Sequence, residues 1–215
     1  MLQWANMYVP KVFAVEDVPR LQDFMQQFNF ATIVTQREGE LTASHMPFLL
    51  DRSVEPYGVL RAHLAIRNPQ LRDLQSGSQA LVIFQGPHSY ISPSWYANRE
   101  KVPTWNYTVV HAYGVPNIGD RSEMVALLKD LVGKHESSLD QPWDFDPDAA
   151  WIQKLLPEIA AFEIKIGKLE GKFKLNQNRA PADRAGVIET LSASEDPAQR
   201  AVASWMTQRP PGGLS

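Results

Sequence analysis

The links between the strand-like runs of this chain are too short for regular βαβ crossovers, which rules against a parallel doubly wound sheet and for antiparallel pairing. Residues 30–35 are rich in Ile, Val and Thr, Arg37-Glu38-Gly39-Glu40 reads as a turn, and residues 41–50 return as the second arm of a hairpin. Residues 59–64 alternate as a further strand. Asn68-Pro69 has the form of an N-cap and first helical position, opening a short helix to about Gln75 that Gly77 closes. Residues 80–84 are almost continuously apolar until Gly86-Pro87 breaks them, and Tyr90-Ile91 and residues 105–116 add strand material around a polar loop at 98–101. These are six strand candidates, and the alternation of Phe162, Ile164 and Ile166 within 161–169 supplies one more that could complete a small barrel. The expected class is α+β, an antiparallel β-barrel with flanking helices.

Helical spacing marks the flanks. Val18, Leu21, Phe24, Met25 and Phe28 give residues 16–28 an amphipathic face, with Asp17 as N-cap and Pro19 early in the helix. Residues 122–135 carry Met124, Val125, Leu127, Leu128, Leu131 and Val132 in the same manner. Shorter helices fit 149–156, 183–191 and 196–206, residues 141–148 and 176–182 read as loops, and the terminal PPGGLS should fray. No repeat or long linker divides the chain, so residues 1–215 are expected to form one domain with a C-terminal helical extension from about 176.

Composition removes several chemistries. At 215 residues and 44% hydrophobic content the chain can bury a substantial core. It has no cysteine, so disulfides, thiolate nucleophiles and Cys-ligated metal centres are excluded. Its five histidines show neither HxxxH nor HExxH spacing, and no metal site is expected. No Gly-rich phosphate loop or GxSxG elbow occurs, and no residue can be assigned a catalytic role. The N-terminus lacks a basic region followed by a long apolar run, so a cytoplasmic protein without membrane contact is expected. With a net charge of -3, DNA could be met only through a local patch. The densest is 168–184, where Lys168, Lys172, Lys174, Arg179 and Arg184 stand against Glu170 and Asp183.

Residues 83–114 read IFQGPHSYISPSWYANREKVPTWNYTVVHAYG, with planar rings set among hydroxyl and amide groups. Such a stretch suits a flat heteroaromatic ligand or a tight subunit interface. Together with HMPF at His45 to Phe48 and KFKLNQNR at Lys172 to Arg179, the segments FQGPHSYISPSWY and VPTWNYTVVHAYG resemble the PaiB-type family, described as FMN-binding negative transcriptional regulators. MYVPKVF from Met7 and DRAGVIETL from Asp183 fit the same pattern, so the resemblance runs over nearly the whole chain. Two departures stand out: Asn176 occupies a position where the family commonly has Ser, and HxARxNP appears as HLAIRNP, which displaces Arg67 by one residue.

The resemblance implies a split β-barrel, FMN as cofactor, and a homodimer whose interface contains the flavin sites. FMN needs cationic or hydroxyl donors for its phosphate, an apolar wall for its tricycle and polar groups at the pyrimidine edge. Arg67 beside the capped helix start at Asn68-Pro69 is the local candidate for the phosphate. Arg61 and His63 share a strand face and could meet a phosphate or polyol. Thr42, Ser44 and Met46 lie on one face of their strand and His45 on the other; the resemblance makes Ser44 and His45 plausible contacts. In Trp105-Asn106-Tyr107 the rings face one way and the amide the other, fitting a flavin or a buried interface. Gln177, Asn178 and Arg179 are marked by the resemblance alone. The function it implies is repression of transcription; a flavin-dependent oxidoreductase and a heme-binding split barrel are the alternatives.

Overall fold

The computed structural model describes residues 7–208, so the PPGGLS tail lies outside it. The chain divides into two compact units, the first from residues 7–24, 85–111 and 170–208, the second from Met25–Phe84 and Ala112–Leu169. In chain order the elements are β1 (Ala14–Val15), α1 (Val18–Gln27), β2 (Phe30–Arg37), β3 (Glu40–Pro47), β4 (Leu49–Asp51), β5 (Val59–Ala65), α2 (Leu71–Leu74) and β6 (Ala80–Ile91). They continue as β7 (Thr104–Gly114), β8 (Pro116–Ile118), α3 (Arg121–Glu136), α4 (Ala150–Leu155), β9 (Ile159–Lys165), β10 (Lys168–Lys174), α5 (Pro181–Ser192) and α6 (Pro197–Thr207). Strands β6 and β7 run through both units.

The second unit holds strands in the order β6-β2-β3 and a second sheet ordered β4-β5-β9-β8. The β2–β3 hairpin turns at Glu38 and Gly39, with φ of 55° and 88°, flanked by the pair Arg37↔Glu40. Two successive positive φ values give the tight turn whose twist matches that of paired strands, and Gly39 adopts one of them without steric cost. Phe48, 1% exposed, separates β3 from β4 and is met edge-on by the rings of Phe84 and Phe162 at 6.0 and 6.2 Å. At the other sheet change Gly114 ends β7, and a Cβ there would stand 2.3 Å from the carbonyl oxygen of Lys165. Only glycine permits that approach. Helix α3 opens on a capping box in which Asp120 accepts from the Glu123 N–H at 2.9 Å and Glu123 accepts from the Asp120 N–H at 2.7 Å. Its Met124, Leu127 and Leu131 join Leu49, Phe145, Ile152 and Leu156 in one apolar cluster.

The first unit holds the order β1-β10-β7-β6. Its core is a ring cluster: Phe24 and Phe173 lie 5.1 Å apart, and Trp205 of α6 meets them at 5.5 and 5.3 Å. Gly171 of β10 sits where a Cβ would fall 2.3 Å from Leu21 and 3.1 Å from the carbonyl oxygen of Val15, so α1 and β1 approach that strand closely.

Several boundaries differ from those expected. Residues 80–84 and 90–91 belong to one strand, β6, which passes straight through Gly86-Pro87. Gly86 has no space for a side chain, with Thr108 Oγ1 at 2.4 Å and the Phe24 ring at 2.8 Å from an added Cβ. On its β2 side no N–H is required of Pro87, because β6 pairs with β2 only over Leu81–Ile83. The return arm expected at 41–50 is two strands, β3 and β4, and the run 105–116 is likewise split into β7 and β8. Residues 161–169 shift to Ile159–Lys165, and 168–174 form β10, a strand hidden by its four charged side chains. Helix α2 is four residues long and begins beyond Asn68-Pro69, because those residues form turns in which Leu71 N–H meets Asn68 O and Arg72 N–H meets Pro69 O.

Candidate functional site

In the second unit, the strand period leaves Ser44 half-buried and His45 exposed on β3. The cross-strand pair Thr32↔His45 places the threonine hydroxyl 2.9 Å from His45 Nδ1. Ser44 Oγ accepts from Asn68 Nδ2 at 3.2 Å, and Asn68 Oδ1 accepts from the Gln70 N–H at 2.9 Å, so two expected site residues meet in one short chain of hydrogen bonds. Behind them Gln70, fully buried, donates to Thr35 Oγ1 at 3.1 Å and to the Thr42 carbonyl at 3.2 Å. Asp73 accepts from Thr35 Oγ1 at 2.8 Å and from Arg37 Nε at 3.2 Å. Gln70 and Asp73 were missed by sequence reasoning. Their helical register around Leu71 and Leu74, which turns both toward β2, is the signal that could have found them.

The cations of this unit are placed differently. The Arg67 side chain is 85% exposed and lies 3.6 Å from Glu158. Arg61 Nη2 binds Asp130 at 2.8 Å, while its Nε is buried with no partner. Arg61 lines a cavity of about 220 Å³ with Glu123, Leu127, Phe162 and Glu163, so its charge is set among carboxylates rather than left for a phosphate. His63 shares the β5 face with Arg61, as expected, and its Nδ1 is also buried without a partner.

Burial pushes His63 below the ordinary imidazole pKa of 6.5. The unfolded chain therefore binds a proton at His63 that the folded chain refuses, and stability must fall as pH drops from about 6.5 toward the lowered folded value. His63→Gln should flatten that part of the profile. Thermal melts between pH 7.5 and 5 that keep the wild-type slope in the variant would show that His63 does not cause it.

In the first unit, β7 turns Trp105 and Tyr107 outward and Asn106 inward, the separation of rings from amide that the alternation predicts. Trp105 is 53% exposed, with His88 at 6.2 Å and Tyr90 at 6.1 Å from its ring centroid. Asn106 is fully buried; its Nδ2 donates to Met206 Sδ at 3.3 Å and its Oδ1 has no partner. Lys172 is 9% exposed, donates to the Tyr8 carbonyl at 2.8 Å and lies 5.3 and 5.4 Å from the rings of Tyr8 and Tyr107. Lys174 Nζ donates to Thr104 Oγ1 at 2.6 Å. Lys172 is thus held against two rings and Lys174 by a threonine hydroxyl, so neither is a free cation of a solvated basic face. Tyr8, His88 and Tyr90 complete a ring platform whose members come from separate stretches of sequence.

The KLNQNR stretch forms a tight corner. Asn176 adopts φ 62°, a conformation that Asn tolerates better than Ser, and its Nδ2 donates to the Tyr96 hydroxyl at 3.4 Å. Gln177 accepts from the Leu175 N–H at 2.7 Å and donates to the Phe173 carbonyl. Asn178 is exposed. The Arg179 guanidinium stacks 5.3 Å from the Tyr96 ring with its Nε buried and unpartnered.

The amino-terminal three quarters of the chain, residues 7–168, match the family described as "Putative FMN-binding domain". The chain is 37% identical over 206 residues to the Protease synthase and sporulation protein PAI 2 of Bacillus subtilis (strain 168), covering 94% of this chain and 98% of that one. Among solved structures it resembles the flavocytochrome Anf3 of Azotobacter vinelandii, with a TM-score of 0.57, 12% identity and coverage of 88% and 75% of the two chains. It also resembles an FAD and heme binding protein of Mycobacterium smegmatis, with a TM-score of 0.53, 19% identity and coverage of 75% and 73%. Likeness at those identities shows the fold alone, which is the α+β split barrel of flavin-binding proteins. The chain belongs to the PaiB-type FMN-binding family, and FMN is the cofactor of that family's domain.

The residues present fit a flavin in kind. Of the buried side-chain atoms left without a partner, Arg61 Nε, His63 Nδ1, Asn106 Oδ1 and Arg179 Nε belong to residues the sequence had marked. Such unmet groups are costly unless a ligand or water completes them. The first unit has an exposed ring platform and cations, and the second has a hydroxyl, an amide and an imidazole on adjoining strands and turn. No described helix is long and apolar enough to cross a membrane.

Proposed function

We propose that this protein is a cytoplasmic, homodimeric FMN-binding regulator of transcription. The observation that carries the cofactor assignment within the chain is the ring platform of Trp105, Tyr90 and His88, whose exposed planar groups suit an isoalloxazine better than water. Trp105 and Tyr107 would meet the tricycle, and Arg179, with an unmet donor, the phosphate. Gln177 is turned to the backbone, so it would position Arg179 rather than touch the ligand. Taken by itself, the second unit offers in Ser44, His45 and Asn68 hydroxyl, imidazole and amide groups of the kind a flavin's polar edge needs, whereas its Arg61, His63 and Arg67 are weaker candidates given their carboxylate or buried surroundings. Asn106 would act from beneath the platform by holding β7 to α6. FMN, when bound, supplies one- and two-electron redox chemistry.

The regulatory reading rests on the Bacillus relative, whose name ties it to protease synthesis and sporulation. Direct DNA contact through the basic segment has less support, because Lys172 and Lys174 are already engaged with Tyr8, Tyr107 and Thr104. The homodimer reading rests on the exposed rings, which a second subunit would cover. Light scattering should give twice the chain mass at micromolar concentration; a monomer throughout that range would overturn the dimer. Promoter fragments tested with oxidised and reduced protein, beside a turnover screen with reduced nicotinamides, separate regulator from oxidoreductase. Turnover without any DNA response would favour the enzyme.

A further inference from the structure

Helix α4 is apolar on two faces. Ile152 and Leu156 are 6% and 2% exposed within the α3 cluster, whereas Trp151 and Leu155, also one turn apart, are each 54% exposed. Trp143, 45% exposed, lies 6.3 Å from Trp151 and 6.1 Å from the buried Phe145, extending the uncovered apolar surface. The loop that carries Trp143 is anchored, since its backbone N–H donates to Glu136 Oε2 at 2.7 Å. A helix apolar on both sides normally has both covered.

Charge decides what covers it. Between Glu136 and Leu155 the chain carries Glu136, Asp140, Asp144, Asp146 and Asp148 against a single cation, Lys154. A second copy seated by two-fold symmetry would bring two such rims together, and like charges so placed repel. Phosphate-bearing ligands and nucleic acid are disfavoured for the same reason. A cationic side chain gains twice, from the carboxylates and from the faces of the tryptophans.

We propose that the Trp143–Trp151–Leu155 face docks an arginine-bearing amphipathic segment of a partner protein, with apolar side chains over Leu155 and guanidinium groups on the indole rings. The probe is a synthetic amphipathic helical peptide, leucines on one face and arginines on the other, titrated calorimetrically into the full chain. Its counterpart with glutamate for arginine is the control. Wild type should bind the basic peptide and ignore the acidic one, and binding should weaken with salt. Trp151→Ser should lose at least tenfold, and Asp144→Asn with Asp146→Asn should weaken binding and flatten its salt dependence. Leu155→Ser gives an independent check should Trp151→Ser melt early. The proposal is overturned if wild type fails to bind, if both peptides bind alike, or if Trp151→Ser and Leu155→Ser bind as wild type does. It is also overturned if Trp151→Ser changes the mass in light scattering, for then a second copy covers the face.

Discussion

Phe173→Ala should destabilise the folded chain by about 3–5 kcal/mol, the range for truncating a large buried aromatic. Phe173 is 1% exposed, its ring stands 5.1 Å from Phe24 and 5.3 Å from Trp205, and the Arg20 guanidinium lies 5.2 Å from its centroid. Its removal opens a void between β10 and α6 that two rigid rings cannot refill, so little of the cost is relieved by collapse. Against a typical total of about 5–15 kcal/mol this is a large fraction. For a chain of this size each kcal/mol moves the melting point by about 2–4 °C, so a drop of roughly 6–20 °C is expected. Scanning calorimetry showing a drop below about 3 °C would mean that the ring cluster does not hold this unit together.

The opposite pattern is expected on the adjacent strand, β7. Trp105→Ala removes a ring of similar size, yet Trp105 is 53% exposed and its truncation should change stability by only about 0.5 kcal/mol. Its effect should fall on the holo protein. Loss of an aromatic stacking contact of about 0.5–1.5 kcal/mol, added to the apolar area no longer covered, should weaken FMN on the order of tenfold or more. Calorimetric titration that finds wild-type affinity would take Trp105 out of the flavin site, and a melting point that falls as far as in Phe173→Ala would show that it holds the fold instead.

The contrast between these two residues also shows what the sequence could carry. Period-2 alternation was enough to set Trp105 and Tyr107 on the face opposite Asn106, the fold alone showing which face is buried, and helical spacing was enough to find α1 and α3. The hairpin at Glu38-Gly39 was legible because its turn chemistry is local. Strand β10 was not, since Lys168, Glu170, Lys172 and Lys174 look like a solvated face. In the fold, Lys172 is buried against Tyr8 and Tyr107, from parts of the chain far away in sequence. Pro87 misled for a related reason: whether a strand tolerates proline depends on whether a neighbour needs its N–H, a property of pairing that no local window contains. The carboxylates around Arg61 were equally invisible, because Asp130 lies 69 residues away. Family resemblance identified the ligand, but the ring platform had to be assembled from Tyr8, His88, Tyr90, Trp105 and Lys172 by the fold.

Flavin fluorescence tests the account most directly. FMN titrated into flavin-free wild-type protein should lose most of its emission on binding, because an indole stacked on the isoalloxazine quenches it, and Trp105→Ala, still saturated with FMN, should recover a substantial part. Emission that stays at the free-flavin level in the saturated wild type, or quenching of equal depth in saturated Trp105→Ala, would contradict the placement of the cofactor on this platform.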